Sequence, residues 1–271
     1  MNRIRTGFIS YSNCFPVYYP FAAGMFKHPE ISIVEGKPSE LNRLLARQAL
    51  DVSSVSSIEY ANLASNYRIL DGISLNSYGY VKSVLLISRR KIEELDGKKI
   101  GLTPASATSH ALLKIILADH YKITPSYAVT DKLAAGTDAL LLIGDDALRY
   151  KAGRGLHVYD LGQLWAEIYR QPVIFALWIV HGKFLREKDR IKPLITSLLK
   201  SLKYSKSHWQ EFLAAAEKKY DGLGIDLEEY YGKLRFDFGR DKKDALLFFL
   251  EKAHSQNLCP KCRGLKFFNK I

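Results

Sequence analysis

The chain has 271 residues, 47% of them hydrophobic and 25% charged, an ordinary globular composition that excludes a disordered, collagen-like or disulfide-scaffold protein. Its 40 basic against 28 acidic side chains give a formal net charge of +12, which favours anionic partners: nucleic acid, an acidic membrane, or a small carboxylate or phosphate. Three cysteines, and a start (Met-Asn-Arg-Ile-Arg-Thr-Gly) with no apolar stretch behind it, lead us to expect no signal peptide and a reducing, cytoplasmic compartment.

In chain order, Ile4–Ser10 reads as a strand. Tyr11-Ser12-Asn13-Cys14-Phe15-Pro16 then opens a helix, with Ser12 or Asn13 as N-cap and Pro16 in the first turn. Ile31–Val34 is a second strand. Pro38-Ser39-Glu40 starts a helix with Leu41, Leu44 and Leu45 on one face, the spacing of a buried stripe. Asp51–Val55 is a strand, Ser56-Ser57 a cap, Ile58–Ala64 a short helix and Ile69–Ile73 a strand. After the apolar strand Lys82–Ser88 the pattern restarts: strand Lys99–Thr103, helix Ser106–His120, strand Ala139–Ile143, helix Asp145–Arg149, strand Val173–Val180. Such a restart predicts a second α/β lobe. Beyond His181 the spacing is helical over Ile191–Tyr204, Ser207–Tyr220, Leu227–Tyr231 and Lys243–His254.

The expected architecture has residues 1–80 plus 181–271 as one lobe and 81–180 as the other. The crossings near residues 81 and 180 act as a hinge, and the terminal helices pack on the first lobe. The cleft is lined by strand ends and helix N-termini, where open α/β sheets bind ligands. The longest apolar stretch, Val173–Val180, is far short of a membrane span. Residues 182–271 hold 20 basic and 12 acidic side chains, but no basic run interleaves with aromatics and no helix-turn-helix or zinc-finger pattern is present. No nucleic-acid partner is therefore expected.

The common catalytic motifs are absent: no Walker A loop, G-x-G-x-x-G, G-x-S-x-G or H-E-x-x-H. No two histidines pair at metal spacing. Cys259-Pro260-Lys261-Cys262 supplies only two of the four ligands of a closed zinc site; His254 adds a third at most. We therefore expect no metal site, and free thiols in a C-terminal turn. Ser106-Ala107-Thr108-Ser109 opens an apolar helix after a strand, and hydroxyls with backbone N–H groups at a helix start suit a carboxylate or phosphate. Capping by Ser106 accounts for one of these serines. Ser53-Ser54-Val55-Ser56-Ser57 makes the same offer from the other lobe, and two such starts suit a ligand with two separated carboxylates. In Ile143-Gly144-Asp145-Asp146, Asp145 either caps the next helix or faces the cleft as a polar catalytic group.

Six segments in this order resemble one family. They are Tyr11 to Pro16, Val55-Ser56-Ser57-Ile58-Glu59-Tyr60, Val81-Lys82-Ser83-Val84-Leu85-Leu86, Ser106 to Ser109, Leu142-Ile143-Gly144-Asp145-Asp146-Ala147-Leu148, and Tyr159-Asp160-Leu161-Gly162 followed by Trp165. The family is chorismate dehydratase, the first enzyme of the futalosine route to menaquinone. The resemblance spans about residue 3 to about residue 258 and leaves out Cys259–Ile271. It implies a type II periplasmic-binding-protein fold, a cytoplasmic enzyme, no metal or organic cofactor, and removal of water from chorismate to give 3-[(1-carboxyvinyl)oxy]benzoate. It further implies substrate contacts at Ser10, Ser56, Ser57, Ser83, Ser106, Ala107, Thr108, Ser109 and Gly144, with Asn13 and Asp145 as the candidate catalytic residues. The proton acceptor stays open between the substrate's own enolpyruvyl carboxylate and Asp145, with Asn13 orienting the reacting region.

One departure stands out. Tyr169-Arg170-Gln171-Pro172 occupies the place where the family reads Thr-Gly-Leu-Pro, so Arg170 is either a new cation for a carboxylate or simply exposed. A sister enzyme of the same pathway, which forms 1,4-dihydroxy-6-naphthoate, resembles the chain less. It carries His-Glu where Gly144-Asp145 stands. A non-catalytic carboxylate binder on the same fold is the remaining alternative.

Overall fold

The computed structural model describes residues 3–133 and 136–268; the last three residues assigned to the first lobe lie outside them. In chain order the elements are β1 (Ile4–Ile9), α1 (Phe15–Ala22), β2 (Ile31–Gly36), α2 (Pro38–Ala46), β3 (Val52–Ser56), α3 (Tyr60–Leu63), β4 (Tyr67–Ser77), β5 (Val84–Ser88), β6 (Lys99–Leu102) and α4 (Ala107–Ile115). Then follow β7 (Ser126–Val129), β8 (Ala139–Ile143), α5 (Gly144–Arg149), β9 (His157–Asp160), α6 (Leu161–Tyr169), β10 (Val173–His181), α7 (Lys188–Ser207), α8 (Trp209–Lys219), α9 (Leu227–Lys233) and α10 (Arg240–Ser255).

Two five-stranded sheets are built on one plan. The first has the order β2-β1-β3-β10-β4 and the second β7-β6-β8-β5-β9. In each, three parallel strands are followed by two antiparallel neighbours: β1 runs parallel to β2 and β3, and β6 to β7 and β8. β10 runs antiparallel to β3 and β4, and β5 to β8 and β9. The central strands β3 and β5 are buried at every residue, although three of the five β3 residues are serines, while the edge strands β2 and β7 are largely exposed. The two-lobe α/β class read from the sequence is therefore present.

Two details of that reading need correction. β10 pairs with Val52–Ser56 and with β4, so residues 173–180 belong to the first sheet. The return crossing is Arg170-Gln171-Pro172, not residue 180. A buried apolar run reads alike in either sheet; only its partners reveal which sheet holds it. Nor do the terminal helices stay on the first unit. α7 and α8 do pack there, the Ser201 and Ser205 hydroxyls donating to Val17 O (2.5 Å) and Pro16 O (2.7 Å). α10 packs on β10 of the first sheet but also reaches the second unit, spreading Phe248 and Phe249 around Trp165 of α6 and ion-pairing Lys252 with Asp119 at 2.8 Å. The tail beyond it pairs Phe267 with Ile69, and Arg235 pairs with Asn76. Together they close the free edge of β4, which would otherwise invite pairing with another chain.

Both crossings hold a non-glycine residue in the left-handed region, Lys82 at φ 63° and Arg170 at φ 55°. At the first, Val81 and Lys82 donate their N–H groups to Asp160 Oδ2 at 3.0 and 2.7 Å. At the second, Arg170 is the C-cap of α6, its N–H on Ala166 O. The family's glycine at that place suits such a cap, and this chain keeps the conformation with an arginine. Replacing a strained left-handed residue by glycine relieves about 1–2 kcal/mol and returns part of it as unfolded-state entropy. Arg170→Gly is thus expected to stabilise the fold by roughly 0.5–1 kcal/mol, read as a higher denaturant midpoint; a lower midpoint would show that the guanidinium contributes more than the strain costs.

Candidate functional site

Tyr11 and Asn13 follow β1, Pro38 follows β2, Ser56 ends β3, Ser106 and Ser109 follow β6, and Gly144 follows β8. All line one cleft between the two sheets. Each of these strands runs into a helix or a 3-10 turn, so several helix starts face the same space. Their partial positive ends suit an anion. Ile9, Leu75, Val81, Val84, Ile143, Phe175 and Leu234 supply apolar walls, and Ser83 a further hydroxyl. No charged side chain is among the described lining residues. Recognition here falls to neutral donors and helix ends.

Asn13, Ser56, Ser83, Ser106, Ser109 and Gly144 therefore meet at one cleft. Ser106 is also the N-cap of α4, accepting from the Ser109 N–H at 3.4 Å. Ser56 Oγ accepts from Asn42 Nδ2 at 3.2 Å, which leaves its O–H to donate. Asn42 was not singled out from sequence, although it sits one residue beyond Leu41 of the buried stripe, turned toward the end of β3.

Ser10, Ser57, Ala107, Thr108 and Asp145 do not line the cleft. Ser10 is exposed and borders a neighbouring aromatic hollow with Phe8 and Tyr220. Ala107 is half-buried. Ser57 and Thr108 are fully buried and face each other, Oγ to Oγ1 3.2 Å, where the two units touch. Ser57 donates to Ile174 O at 2.5 Å, and Ile58 N donates to Thr108 Oγ1 at 3.3 Å. The hydroxyl surplus beyond capping is partly spent on joining the units. Gly144 has its N–H committed to Ser83 O at 2.8 Å, so it shapes the wall. Arg170 is exposed on a groove with Asn76, Arg235 and Asp241, apart from the cleft.

Asp145 neither caps α5 nor enters the cleft. Its Oδ1 accepts from Ser12 Oγ at 2.6 Å and from Ser12 N at 3.1 Å. Burial pushes its carboxyl above the usual range, and the Ser12 bonds pull it partly back. Burial first, then Asp146 and Asp145, raise the Tyr11 phenol, and burial raises the Cys14 thiol. Both are neutral at physiological pH, so Cys14 offers no thiolate nucleophile. Two lining atoms, Tyr11 Oη and Asn13 Oδ1, are buried without a hydrogen-bond partner among the described residues. Unpaired buried polar atoms are rare in folded proteins.

A family model described as menaquinone biosynthesis matches residues 4–255. The chorismate dehydratase of Thermus thermophilus is 26% identical over 264 residues, covering 90% of this chain and 93% of that protein. Among solved structures, a protein from Archaeoglobus fulgidus superposes with a TM-score of 0.75 at 24% identity, covering 94% of this chain and 98% of that one. The alkanesulfonate-binding protein of Xanthomonas axonopodis gives 0.70 at 13% identity, covering 98% and 96%. These likenesses show the periplasmic-binding-protein fold.

Proposed function

The chain belongs to the menaquinone biosynthesis family, and from that membership we propose that it is a chorismate dehydratase, a hydro-lyase that converts chorismate to 3-[(1-carboxyvinyl)oxy]benzoate and water. Its relative from Thermus thermophilus bears that name. The observation that carries the reading is the unpartnered Asn13 Oδ1, set in a cleft with apolar walls and neutral donors.

Chorismate is a dianion with a hydroxyl at C4 and a hydrogen at C3. Losing both as water makes the ring aromatic, so the driving force belongs to the substrate. What remains for the protein is to hold the two carboxylates, orient the C3 proton and steady the departing hydroxide, which is work for positioned hydrogen bonds. Ser56, Ser83, Ser106 and Ser109 line the cleft and would offer hydroxyls to the carboxylates, with Phe175 and Leu75 as apolar wall for the ring. Among the described lining residues there is no carboxylate, histidine or lysine to take the proton. The substrate's enolpyruvyl carboxylate is therefore the acceptor in this reading, and Asn13 orients the reacting region. The missing histidine also argues against the naphthoate-forming sister reaction. The two crossings would serve as the hinge, and the three free thiols fit a cytoplasmic enzyme.

Incubation of the purified protein with chorismate is expected to release the aromatic enol ether, seen by ultraviolet absorbance and mass loss of one water. Tight binding of chorismate with no aromatic product would establish a binder instead.

A further inference from the structure

The Asp145 carboxylate sits behind the cleft wall and grips the residue next to Asn13. Ser12 is fixed on two sides: Asp145, on α5 of the second unit, takes its O–H and N–H, and Tyr231 of α9 donates to its carbonyl at 3.1 Å. Ser12 and Tyr231 are themselves buried. Asn13 follows directly, in the short 3-10 turn Ser12–Cys14 that leads into α1. In the same seam Gly144 lies flat against the Tyr11 ring. Among the described residues, the hydrogen bonds given for the Asp145 carboxylate come from Ser12, in the opposite unit's turn.

We propose that Asp145 is a positioning residue for the dehydration: it reaches across the seam to Ser12 and so sets the Asn13 amide in register. This rests on the dehydratase reading for its catalytic consequence, but the latch itself is a property of the fold. A carboxylate accepting two hydrogen bonds from one residue fixes that residue's backbone as well as its side chain. A misplacement of about 1 Å at the reacting centre is enough to cost on the order of 10²-fold in rate. Because Asp145 does not touch the cleft, its removal acts on turnover more than on substrate affinity.

Asp145→Ala, Asp145→Asn, Ser12→Ala and the Ser12→Ala/Asp145→Ala double variant separate this role from that of a proton acceptor. Two readouts are taken: kcat and KM with chorismate, and amide hydrogen exchange at Ser12, whose N–H the carboxylate holds. Asp145→Ala is expected to lower kcat about 10²-fold with KM within about threefold, and to lose exchange protection at Ser12. Asp145→Asn keeps an oxygen acceptor in place, so it should retain protection and kcat within about tenfold of the parent, as for exchanging a charge-assisted bond for a neutral one. The double variant should be no slower than Asp145→Ala alone, since both changes break one link. Asp145→Asn as inactive as Asp145→Ala with protection intact would overturn the proposal in favour of proton transfer by Asp145. So would losses that multiply in the double variant, or Ser12 protection unchanged in Asp145→Ala. Should the unmodified protein leave chorismate untouched, the dehydratase reading fails by itself, while the exchange comparison still decides the latch.

Discussion

Asn13→Ala is expected to lower kcat by about 10²–10³-fold, the usual effect of removing one preorganised hydrogen-bonding group from a transition state, while leaving the fold as stable as before or more so. The stability half follows from the lone pairs of Asn13 Oδ1, buried with no partner among the described residues. A buried acceptor without a partner costs about 1–3 kcal/mol, and alanine removes that penalty along with the function. An amide kept for folding would show the reverse, a lower melting temperature with turnover little changed. Asn13→Asp tests the electrostatics separately. It puts a carboxylate into a cleft whose described lining holds no charge, beside a dianionic substrate. KM should rise along with the fall in kcat. Near-parental turnover in both variants would remove Asn13 from the site and with it the chemistry proposed for the cleft.

Gly144→Ala carries the second large effect, through shape rather than chemistry. Gly144 has φ 59°, and a Cβ there would stand 2.9–3.0 Å from three carbons of the Tyr11 ring. The backbone strain is about 1–2 kcal/mol for an alanine in the left-handed region. The contact adds more, because Tyr11 is buried and its ring cannot swing away without opening the seam. We expect kcat/KM to fall on the order of 10²-fold, since the ring and Asn13 share one turn and a shift of about 1 Å is enough. Gly144→Asn discriminates between the two causes. Asparagine tolerates the left-handed conformation, so a loss due to backbone strain alone would largely recover, whereas a loss due to the Tyr11 contact would persist. Persistence is the expected result. Full activity of Gly144→Ala would mean that the two units do not need this contact to form the site.

The alternation of strands and helices, the restart after β5 and the helical C-terminal third were legible in the residue pattern, because burial imposes the 2.0 and 3.6 periods directly on the sequence. So were the helix starts: Asn13, Ser106 and Gly144 follow strands and Ser56 ends one, and short residues there are what such turns demand. The capping role of Ser106 was readable from its place alone. The missed elements were short or at an edge. β7 and β9 hold four residues each with partly exposed faces, too few for a period to declare itself. α6 did leave a signal, Asp160 as cap before Leu161, Leu164, Trp165 and Ile168, at helical spacing.

What the sequence could not determine were the partnerships between distant segments. Val173–His181 is equally apolar in either sheet, and only its pairing with β3 and β4 puts it in the first. Ser57 and Ser56 are chemically alike, yet one faces the cleft and the other meets Thr108, because successive residues leaving a strand point to different sides. Asp145 is one acidic residue in a helix start by sequence. Folding places Ser12, 133 positions earlier in the chain, within 2.6 Å of it, which is how a carboxylate that composition would assign to proton chemistry comes to lie behind the wall. Local periodicity records whether a residue is buried; which residue it is buried against depends on how two sheets close on each other, and that geometry exists only in the folded chain.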